Sequence, residues 1–219
     1  MALTLYYHPF SSYSWKVLIP LYEAATPFTA RTIEDPQAAA ELKRNWPIGR
    51  FPVLVVEQGG LTLPEASIII EYLDSHHPGP QPLLPADADL RLEVRLLDRF
   101  FDNYLHASMQ KIVADRLRAA ERRDSEGVEK AHAMLDTCYD WLDTRMVDRK
   151  WAVGEAFTLA DCAAAPALFY ADWVHPIGGA HTNVAAYRSR LLARPSVRRA
   201  VDDARPFRGC FPGGAPDRD

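Results

Sequence analysis

The sequence predicts a small α/β domain followed by a larger all-helical domain. Over residues 1–80, strand-like and helix-like segments alternate in the order β-α-β-α-β-β-α. A cluster of prolines at residues 78–85 then indicates a stiff linker. Beyond this linker, apolar residues recur at helical spacing along most of the chain. We therefore assign residues 1–80 to the α/β domain and residues 86–219 to the helical domain.

Local residue patterns predict each element of the α/β domain. Short runs of β-branched and aromatic residues predict strands, and apolar residues three or four positions apart predict helices. Gly59-Gly60 is typical of a hairpin turn. Pro20 lies inside the first helix and is expected to bend it, because proline removes a backbone donor. The predicted strands are 3–7, 28–33, 51–56 and 61–63, and the predicted helices are 12–25, 36–45 and 65–76.

Helical periodicity dominates after the linker. Leu90, Val94, Leu97 and Phe101 open a long helix that is predicted to extend to residue 117. The other predicted helices are 128–146, 158–173 and 183–193, with a last helical piece after residue 195. The tail from residue 206 onward is rich in proline and glycine, so we expect it to be loosely held.

Composition and charge exclude several classes of protein. The chain is 48% hydrophobic and 25% charged, which indicates a folded globular protein rather than a disordered one. With 25 basic and 29 acidic residues the net charge is −4, so no nucleic-acid partner is expected. The three cysteines are widely spaced and form no C-x-x-C pair, which argues against a disulfide framework or a metal site. We see no signal peptide and no apolar run near about 20 residues, so we expect a cytoplasmic protein without a membrane partner.

The first chemical signal is the turn over residues 8–15 (HPFSSYSW), where a strand ends and a helix begins. The free N–H groups at the start of a helix attract anions, and a serine there can cap the helix or donate to a ligand. Ser11 and Ser12 are both candidates, and a purely structural N-cap remains the alternative. No histidine or aspartate lies at a spacing that would indicate an activated serine nucleophile at either position.

The second signal is the segment 45–54 (NWPIGRFPVL). Pro52 lacks a ladder donor, so it can lie only at the start or edge of a strand. The Phe51–Pro52 bond is compatible with the cis form, although trans is the commoner state of X–Pro bonds. With a cis bond, the backbone N–H and C=O of Phe51 are expected to face outward and pair with an extended peptide.

Two further strand-to-helix or loop-to-helix junctions complete the pattern. In residues 63–68 (LPEASI), Glu65 could meet a ligand ammonium while the N–H groups of Ala66 and Ser67 hold a carboxylate. Glu65 could instead simply complement the helix dipole. In residues 157–161 (FTLAD), Thr158 and Asp161 have capping-box spacing, which we interpret as structural.

Together these segments resemble the cytosolic glutathione transferases. Residues 5–17 (LYYHPFSSYSWKV) resemble the first turn of the serine-type classes, close to the zeta pattern SSCxWRV and to delta- and theta-type bacterial forms. The segment 45–54 is similar to N-P-x-G-K-V-P with one residue inserted, and PEASIIIEYLD is similar to E-S-x-A-I-x-x-Y-L. WAVGEAFTLADCAAAPAL is similar to the G-D-x-F-T-x-A-D helix start. The resemblance covers nearly the whole chain in order.

The resemblance implies a fold, a reaction and partners. The fold is a thioredoxin-like domain plus an all-helical domain. The reaction is conjugation of the thiol of glutathione, a co-substrate bound without a metal, to a small hydrophobic electrophile in detoxification. A homodimer is also implied. The alternatives are a weakly catalytic or non-catalytic glutathione-binding protein, and a specialised glutathione-dependent isomerase or dehalogenase.

The resemblance also implies the site residues. Ser11 matches the serine that acts on the thiol, with Ser12 and then Tyr7 as alternatives. Lowering a thiol pKa from about 8.5 to near 7 requires about 2 kcal/mol. A hydroxyl donor to sulfur contributes about 1.5–3 kcal/mol and a helix start about 0.3–1 kcal/mol. Ser11 together with the helix start can therefore supply this shift without a metal or an added base. The implied glutathione-binding residues are Phe10, Lys43, Arg50, Phe51, Pro52, Glu65, Ala66 and Ser67.

The sequence departs from the family pattern at two places. Ala66 stands where a serine is common, which removes a donor to the γ-glutamyl carboxylate unless Ser67 compensates. The first turn contains no cysteine, and Tyr13 occupies the cysteine position of the zeta pattern, so disulfide reduction and zeta-type isomerisation are disfavoured. Arg116 and Lys111 could favour an anionic co-substrate or could be solvated charges of a long helix. We interpret His106 and the pair His76-His77 as surface or core residues.

Overall fold

The computed structural model describes residues 2–219, and these contain one four-stranded sheet. Its order is β2-β1-β3-β4, with β2 parallel to β1 and with β3 and β4 antiparallel to their neighbours. Gly59 and Gly60, in the turn between the last two strands, have positive φ angles of 91° and 63° that other residues rarely adopt. The strands are β1 (Leu3–Tyr7), β2 (Thr29–Thr32), β3 (Val53–Val56) and β4 (Leu61–Pro64).

Helices cover both faces of this sheet. Helix α2 (Pro36–Asn45) covers one face, where Tyr6 and Val53 belong to a small core. Helices α1 (Ser12–Glu23) and α3 (Ala66–His76) cover the other face, whose core continues into the helical domain. Because successive strand residues point to opposite faces, the central strands β1 and β3 contribute to both cores. The predicted order of strands and helices is confirmed.

The helical domain is built from six α-helices within residues 77–219. Helices α4 and α5 are joined by a π-helical segment, Phe101–His106, so the helix predicted over residues 90–117 is interrupted by a wider turn. A π turn contains one extra residue, which rotates the side chains that follow it. No helix of residues 2–219 has both the length and the apolar character needed to cross a membrane. The helices are α4 (Ala88–Phe100), α5 (Ala107–Arg116), α6 (Ser125–Arg145), α7 (Leu159–Val174), α8 (Thr182–Ala193) and α9 (Pro195–Ala204).

Helix α7 is the centre of the helical domain and is buried along its whole length. The predicted capping box is present at its start, where the Asp161 carboxylate accepts from the N–H of Thr158 at 2.8 Å. The same carboxylate accepts from the N–H of Ala152 at 2.9 Å and from the hydroxyl of Tyr187 at 2.6 Å. Asp161 therefore joins α7 to the preceding loop and to α8.

Polar contacts fix the two domains relative to each other. Helix α1 packs against α7 and α9. Arg194 donates two hydrogen bonds to the Glu23 carboxylate, each 2.7 Å long, and the Tyr170 hydroxyl donates to the Phe10 carbonyl at 2.8 Å. A bidentate arginine–carboxylate pair defines an orientation as well as a contact. The interface is thus specified by polar geometry in addition to apolar packing.

The expectation of a loosely held tail from Pro206 onward is wrong. Phe211 is buried and packs against the rings of Tyr170 and Trp173. Arg218 donates to Asp172, and Asp219 accepts from Arg205 and Arg208. The partners of Phe211 and Arg218 lie far away in the sequence, so a local count of proline and glycine could not reveal them.

Removal of the Asp161 carboxylate should destabilise the fold strongly. The substitution Asp161→Ala is expected to lower the free energy of unfolding by about 3–4 kcal/mol, because it leaves several buried donors without an acceptor. Urea unfolding measures the change. Asp140→Ala is the control, since Asp140 is exposed and pairs with His181 at the surface, and it should cost less than about 1 kcal/mol. Equal stability of the two variants would contradict this role of Asp161.

Candidate functional site

A groove lies where the α/β domain meets the inner helices of the helical domain. Its volume is about 760 Å³. Three segments singled out from the sequence meet on one side of it, and the end of α4, the π-helical segment and the start of α5 form the other side. The residues that line this groove are Ser11, Tyr13, Trp46, Gly49, Arg50, Phe51, Pro52, Pro64, Glu65, Ala66, Arg99, Asp102, Asn103, His106, Ala107 and Gln110.

Ser11 is the N-cap of α1 and is half-buried at the groove. Its Oγ accepts from the N–H of Ser14 at 3.3 Å, whereas its own hydroxyl proton has no acceptor within residues 2–219. The N–H groups of Ser12 and Tyr13 lie in the first turn, where a helix provides no acceptor. The start of α1 therefore offers the groove a free hydroxyl donor and the positive end of a helix dipole.

The start of α3 is open to the groove in a similar way. Glu65, just before α3, has a left-handed backbone with φ +71°, which costs about 1–3 kcal/mol in a non-glycine residue and is typical of functional sites. No side chain caps α3, so the N–H groups of Ala66 and Ser67 remain free for a ligand. The Glu65 side chain is exposed beside them. This corner thus combines donors for a carboxylate with a carboxylate for an amine.

Ser67 does not replace the side-chain donor that Ala66 lacks. Its hydroxyl is buried, accepts from Lys16 Nζ at 2.9 Å and donates to Asp98 at 2.8 Å. The hydroxyl therefore both donates and accepts inside the protein, and its proton is not available to a ligand. The idea that the Ser67 side chain compensates for Ala66 is wrong, and only the backbone N–H of Ser67 remains available.

A buried ion cluster lies directly behind the groove. Lys16 on α1 is only 1% exposed, and its Nζ lies 2.5 Å from Asp98 and 2.6 Å from Asp102. Arg99 at the rim pairs with Asp98 at 2.9 Å. Burial raises the pKa of Asp102, and the charge of Lys16 opposes that rise. The cluster ties the α/β domain to the wall of the groove that the helical domain supplies.

The edge of the groove beside β3 presents unpaired backbone and positive charge. The Phe51–Pro52 bond is cis, and the N–H and C=O of Phe51 have no hydrogen-bond partner among residues 2–219. Arg50 is exposed and lines the groove. Lys43 lies at the rim, with its Nζ 3.2 Å from the position that a Cβ would take at Gly49. An extended anionic peptide could pair with Phe51 and meet these cations.

The π-helical segment supplies groove residues that are not among the predicted site residues. Asp102, Asn103 and His106 all lie on it and all line the groove. His106 is 2% exposed, its Nε2 is paired with the Ser12 hydroxyl, and its Nδ1 has no partner within residues 2–219. Burial and the charge of Lys16 lower the pKa of His106 to about 3. The interpretation of His106 as an ordinary surface or core residue is therefore incomplete.

Tyr13 is a second groove residue that sequence reasoning missed. Its ring packs edge-on against His106 at a centroid distance of 4.5 Å. Burial, with the nearby charges of Asp102 and Glu65, raises the pKa of Tyr13 to about 12. The phenol consequently stays protonated and can donate. Its position after Ser12, in the first turn of α1, is the sequence feature that could have identified Tyr13 as a groove residue.

A smaller apolar cavity of about 260 Å³ adjoins the groove. Ser11, Tyr13, Phe51 and Gln110 line both spaces, so the Ser11 hydroxyl lies at their junction. The exposed thiol-bearing residue Cys210 reaches this cavity from the tail, whereas Cys138 and Cys162 are buried. The other residues that line the apolar cavity are Phe10, Ser12, Met109, Val113, Tyr170, Phe211 and Pro212.

Five predicted site residues do not line the groove: Tyr7, Phe10, Ser12, Lys43 and Ser67. Tyr7 lines a separate cavity with Tyr22, Arg199 and Asp203, so the structure does not bring its hydroxyl to the Ser11 corner. Ser12 is buried against His106, and Phe10 belongs to the apolar cavity. Among residues 2–219, no group of three or more His, Cys, Asp or Glu side chains could hold a metal ion.

Comparison with known families agrees with this geometry. Residues 5–81 match the family described as glutathione S-transferase, N-terminal domain, and residues 100–195 match glutathione S-transferase, C-terminal domain. The chain belongs to the glutathione S-transferase family. Its α/β domain is accordingly thioredoxin-like, and the predicted two-part fold is confirmed.

Individual relatives differ in name and in coverage. The chain is 34% identical to the glutathione S-transferase-like protein LUC7 of a Fusarium species over 131 residues, 60% of this chain and 59% of that protein. It is 29% identical to the stringent starvation protein A homolog of Coxiella burnetii over 92% of each chain. A glutathione S-transferase structure from Methylobacterium radiotolerans, in complex with glutathione sulfonate, superimposes with a TM-score of 0.78 at 29% identity, over 100% of this chain and 99% of that one.

The imidazole of His106 should remain neutral in the folded protein down to acidic pH. A histidine in the unfolded chain titrates near 6.5, whereas the folded pKa of His106 is about 3. The unfolded state therefore binds the proton first, and protonation of this group destabilises the fold progressively as the pH falls below about 6.5. Imidazole NMR shifts of His106 that stay constant from pH 8 to about 4.5 would agree with this. Titration in the folded state near the unfolded value of about 6.5 would contradict it.

Proposed function

We propose that this protein conjugates the thiol of glutathione to a small hydrophobic electrophile. The observation that carries the proposal is the position of the Ser11 hydroxyl at the junction of the polar groove and the apolar cavity. A peptide thiol held in the groove would meet an apolar partner held in the cavity at this point. Proximity of two bound reactants is by itself a large source of catalysis.

The residues of the groove suit each part of glutathione in turn. The uncapped start of α3 meets the γ-glutamyl carboxylate, and Glu65 meets the adjacent amine. The unpaired backbone of Phe51 pairs with the cysteinyl residue in the manner of an added strand. Arg50, with Lys43 at the rim, meets the glycyl carboxylate. The thiol then lies at the start of α1.

Ser11 is the residue that we assign to thiol activation. Its Oγ already accepts from Ser14, which leaves the hydroxyl proton for the sulfur. A hydrogen bond to a charged acceptor contributes about 1.5–3 kcal/mol, which covers the roughly 2 kcal/mol needed to bring a thiol pKa near 7. Ser12 is less suited, because its hydroxyl is paired with His106. Since glutathione keeps cytosolic thiols reduced, we place the activity in the cytoplasm.

Replacement of Ser11 tests this assignment. Ser11→Ala should lower kcat with 1-chloro-2,4-dinitrobenzene about 10- to 100-fold, because about 1.5–3 kcal/mol of thiolate stabilisation is lost. The ultraviolet thiolate band of the glutathione complex should disappear in the same variant. Retention on immobilised glutathione should persist, since the other contacts remain.

Two variants serve as controls for that experiment. Ser11→Thr keeps a hydroxyl and should restore the thiolate band at least in part. Ser12→Ala removes a hydroxyl that is paired with His106 and should leave the band in place. A band that survives in Ser11→Ala but disappears in Ser12→Ala would transfer the role to Ser12.

A second candidate function is glutathione binding without efficient turnover. Ala66 removes one side-chain donor, and the hydroxyl of Ser67 is used inside the buried ion cluster. The full-length relative from Coxiella burnetii also bears a name that does not describe a transferase. Glutathione retention combined with no turnover of any aryl halide would favour this alternative.

We also propose that the protein is a homodimer. Leu92 and Leu96 lie one turn apart on α4 and are 68% and 57% exposed. Leu61 on β4 and Ile68 on α3 are also exposed apolar residues on elements near the groove. Exposed apolar side chains of this number on neighbouring elements indicate an interaction surface. A second copy of the chain is the occupant that we propose for it.

Charge placed on this face should produce a monomer. Leu92→Glu with Leu96→Glu should shift the sedimentation mass from twice 24.6 kDa to 24.6 kDa, because two carboxylates cannot be buried at an apolar contact. Leu117→Glu is the matched control, since Leu117 is 72% exposed at the end of α5 and should leave the dimer intact. A wild-type protein that sediments as a monomer would refute the dimer.

A further inference from the structure

A fourth cavity lies against residues 213–216 of the tail, and its charge is unbalanced. We call it the arginine cavity; it has a volume of about 540 Å³ and is lined by Arg116, Arg123, Trp173 and the tail segment from Gly213 to Pro216. No carboxylate is among the residues that line it. Two cations therefore face one space without an internal counterion.

The two arginines of this cavity have no acidic partners. Neither Arg116 nor Arg123 forms an ion pair within residues 2–219, although many other arginines of the helical domain do. Arg116 donates one hydrogen bond, from Nη1 to the Pro212 carbonyl at 3.2 Å, and its guanidinium lies 5.8 Å from the centre of the Phe211 ring. The remaining N–H donors of its fork are free.

Trp173 also lines the arginine cavity and is 7% exposed. Its Nε1–H is a buried donor with no acceptor in residues 2–219, and the atom has almost no exposed surface. A ligand oxygen in the cavity therefore cannot reach this N–H, so the hydrogen-bond donors that face the cavity are those of the arginines.

Lys111, the other cation that the sequence suggested for an anionic co-substrate, is not available for this purpose. Its Nζ is paired with Asp124 at 2.5 Å, which leaves Arg116 as the free cation of α5 at this end. Arg123, which follows the turn after α5, joins Arg116 at the cavity although no sequence pattern connected the two. Gly213 lies beside Arg116 in the tail, and its φ of +85° is a left-handed backbone conformation that suits glycine.

We propose that the arginine cavity binds the carboxylate or sulfonate of a small organic anion, with Arg116 and Arg123 as the charged donors. Carboxylates and sulfonates fit guanidinium groups because two N–H donors of the fork can meet two of their oxygens. The anionic group can belong to the electrophilic co-substrate, whose apolar part would lie across the tail in the apolar cavity, or to a separate ligand. Binding of the anion at this cavity does not require that the protein conjugates glutathione.

Calorimetric titration with benzoate, and with benzamide as the neutral comparison, tests the site. Wild-type protein should bind benzoate and not benzamide. Arg116→Gln and Arg123→Gln should each weaken benzoate binding about tenfold, which corresponds to the loss of one charge-assisted hydrogen bond. Arg122→Gln is the matched control, because it removes the same charge from an exposed neighbour that does not line the cavity.

The indole NMR signal of Trp173 gives a second measurement that does not require activity. Benzoate should shift this signal in the wild type and in Arg122→Gln, and should not shift it in Arg116→Gln at the same concentration. No benzoate binding at millimolar concentration, or equal weakening in all three arginine variants, would overturn the proposal.

Turnover of two aryl halides identifies the source of the anion. If the anion is part of the co-substrate, Arg116→Gln raises KM for 4-chloro-3-nitrobenzoate and leaves KM for 1-chloro-2,4-dinitrobenzene unchanged. If both KM values are unchanged while benzoate binding is lost, the anion is a separate ligand. A protein that binds benzoate but does not conjugate glutathione would refute the proposed function and leave the anion site standing.

Discussion

Lys16 carries a positive charge into the interior where the two domains meet, and the geometry of the groove depends on how that charge is held. Its ammonium is paired with Asp98 and Asp102 of the helical domain and donates to Ser67 on α3. Loss of one partner of a buried pair typically costs about 3–5 kcal/mol, whereas the intact pair adds little net stability. The cluster therefore contributes more to the relative position of α1, α3 and the π-helical segment than to stability. These three elements carry Ser11, Glu65 and Asp102 to the groove.

The first turns of helices α7 and α3 differ in whether a side chain caps their N–H groups. Helix α7 is deeply buried, and its first turn is satisfied by the carboxylate of Asp161. Helix α3 has no side-chain cap and begins after a strained residue, Glu65. An uncapped start forgoes about 1 kcal/mol of stabilisation. Uncapped N–H groups at the start of α3 are available to a ligand. Helix α7 has no such role, and its first turn is satisfied by a side chain.

Neutral groups surround the place where a thiolate would form. His106 is held neutral by burial and by the charge of Lys16, and Tyr13 stays protonated because burial raises its pKa to about 12. Positive charge is instead placed at the rim, on Arg50 and Arg99, and in the separate arginine cavity. The apolar cavity next to Ser11 contains no charged side chain. This distribution suits a bound peptide with charged ends, a reactive sulfur in the middle and an apolar second substrate.

The sequence by itself determined the order of the strands and helices and the family. Those features depend on local patterns such as helical periodicity, the Gly59-Gly60 turn and the Thr158–Asp161 capping box, which neighbouring residues specify on their own. Ser11, Phe51 and Glu65 could be selected because each lies at a strand or helix end. Only the tertiary structure decided that the Ser67 hydroxyl faces inward, that Tyr7 is remote, that a π turn brings His106 to the groove, and that the tail is fixed by Arg218 and Phe211. Each of these depends on partners tens of residues away, and local spacing carries no information about contacts over such separations.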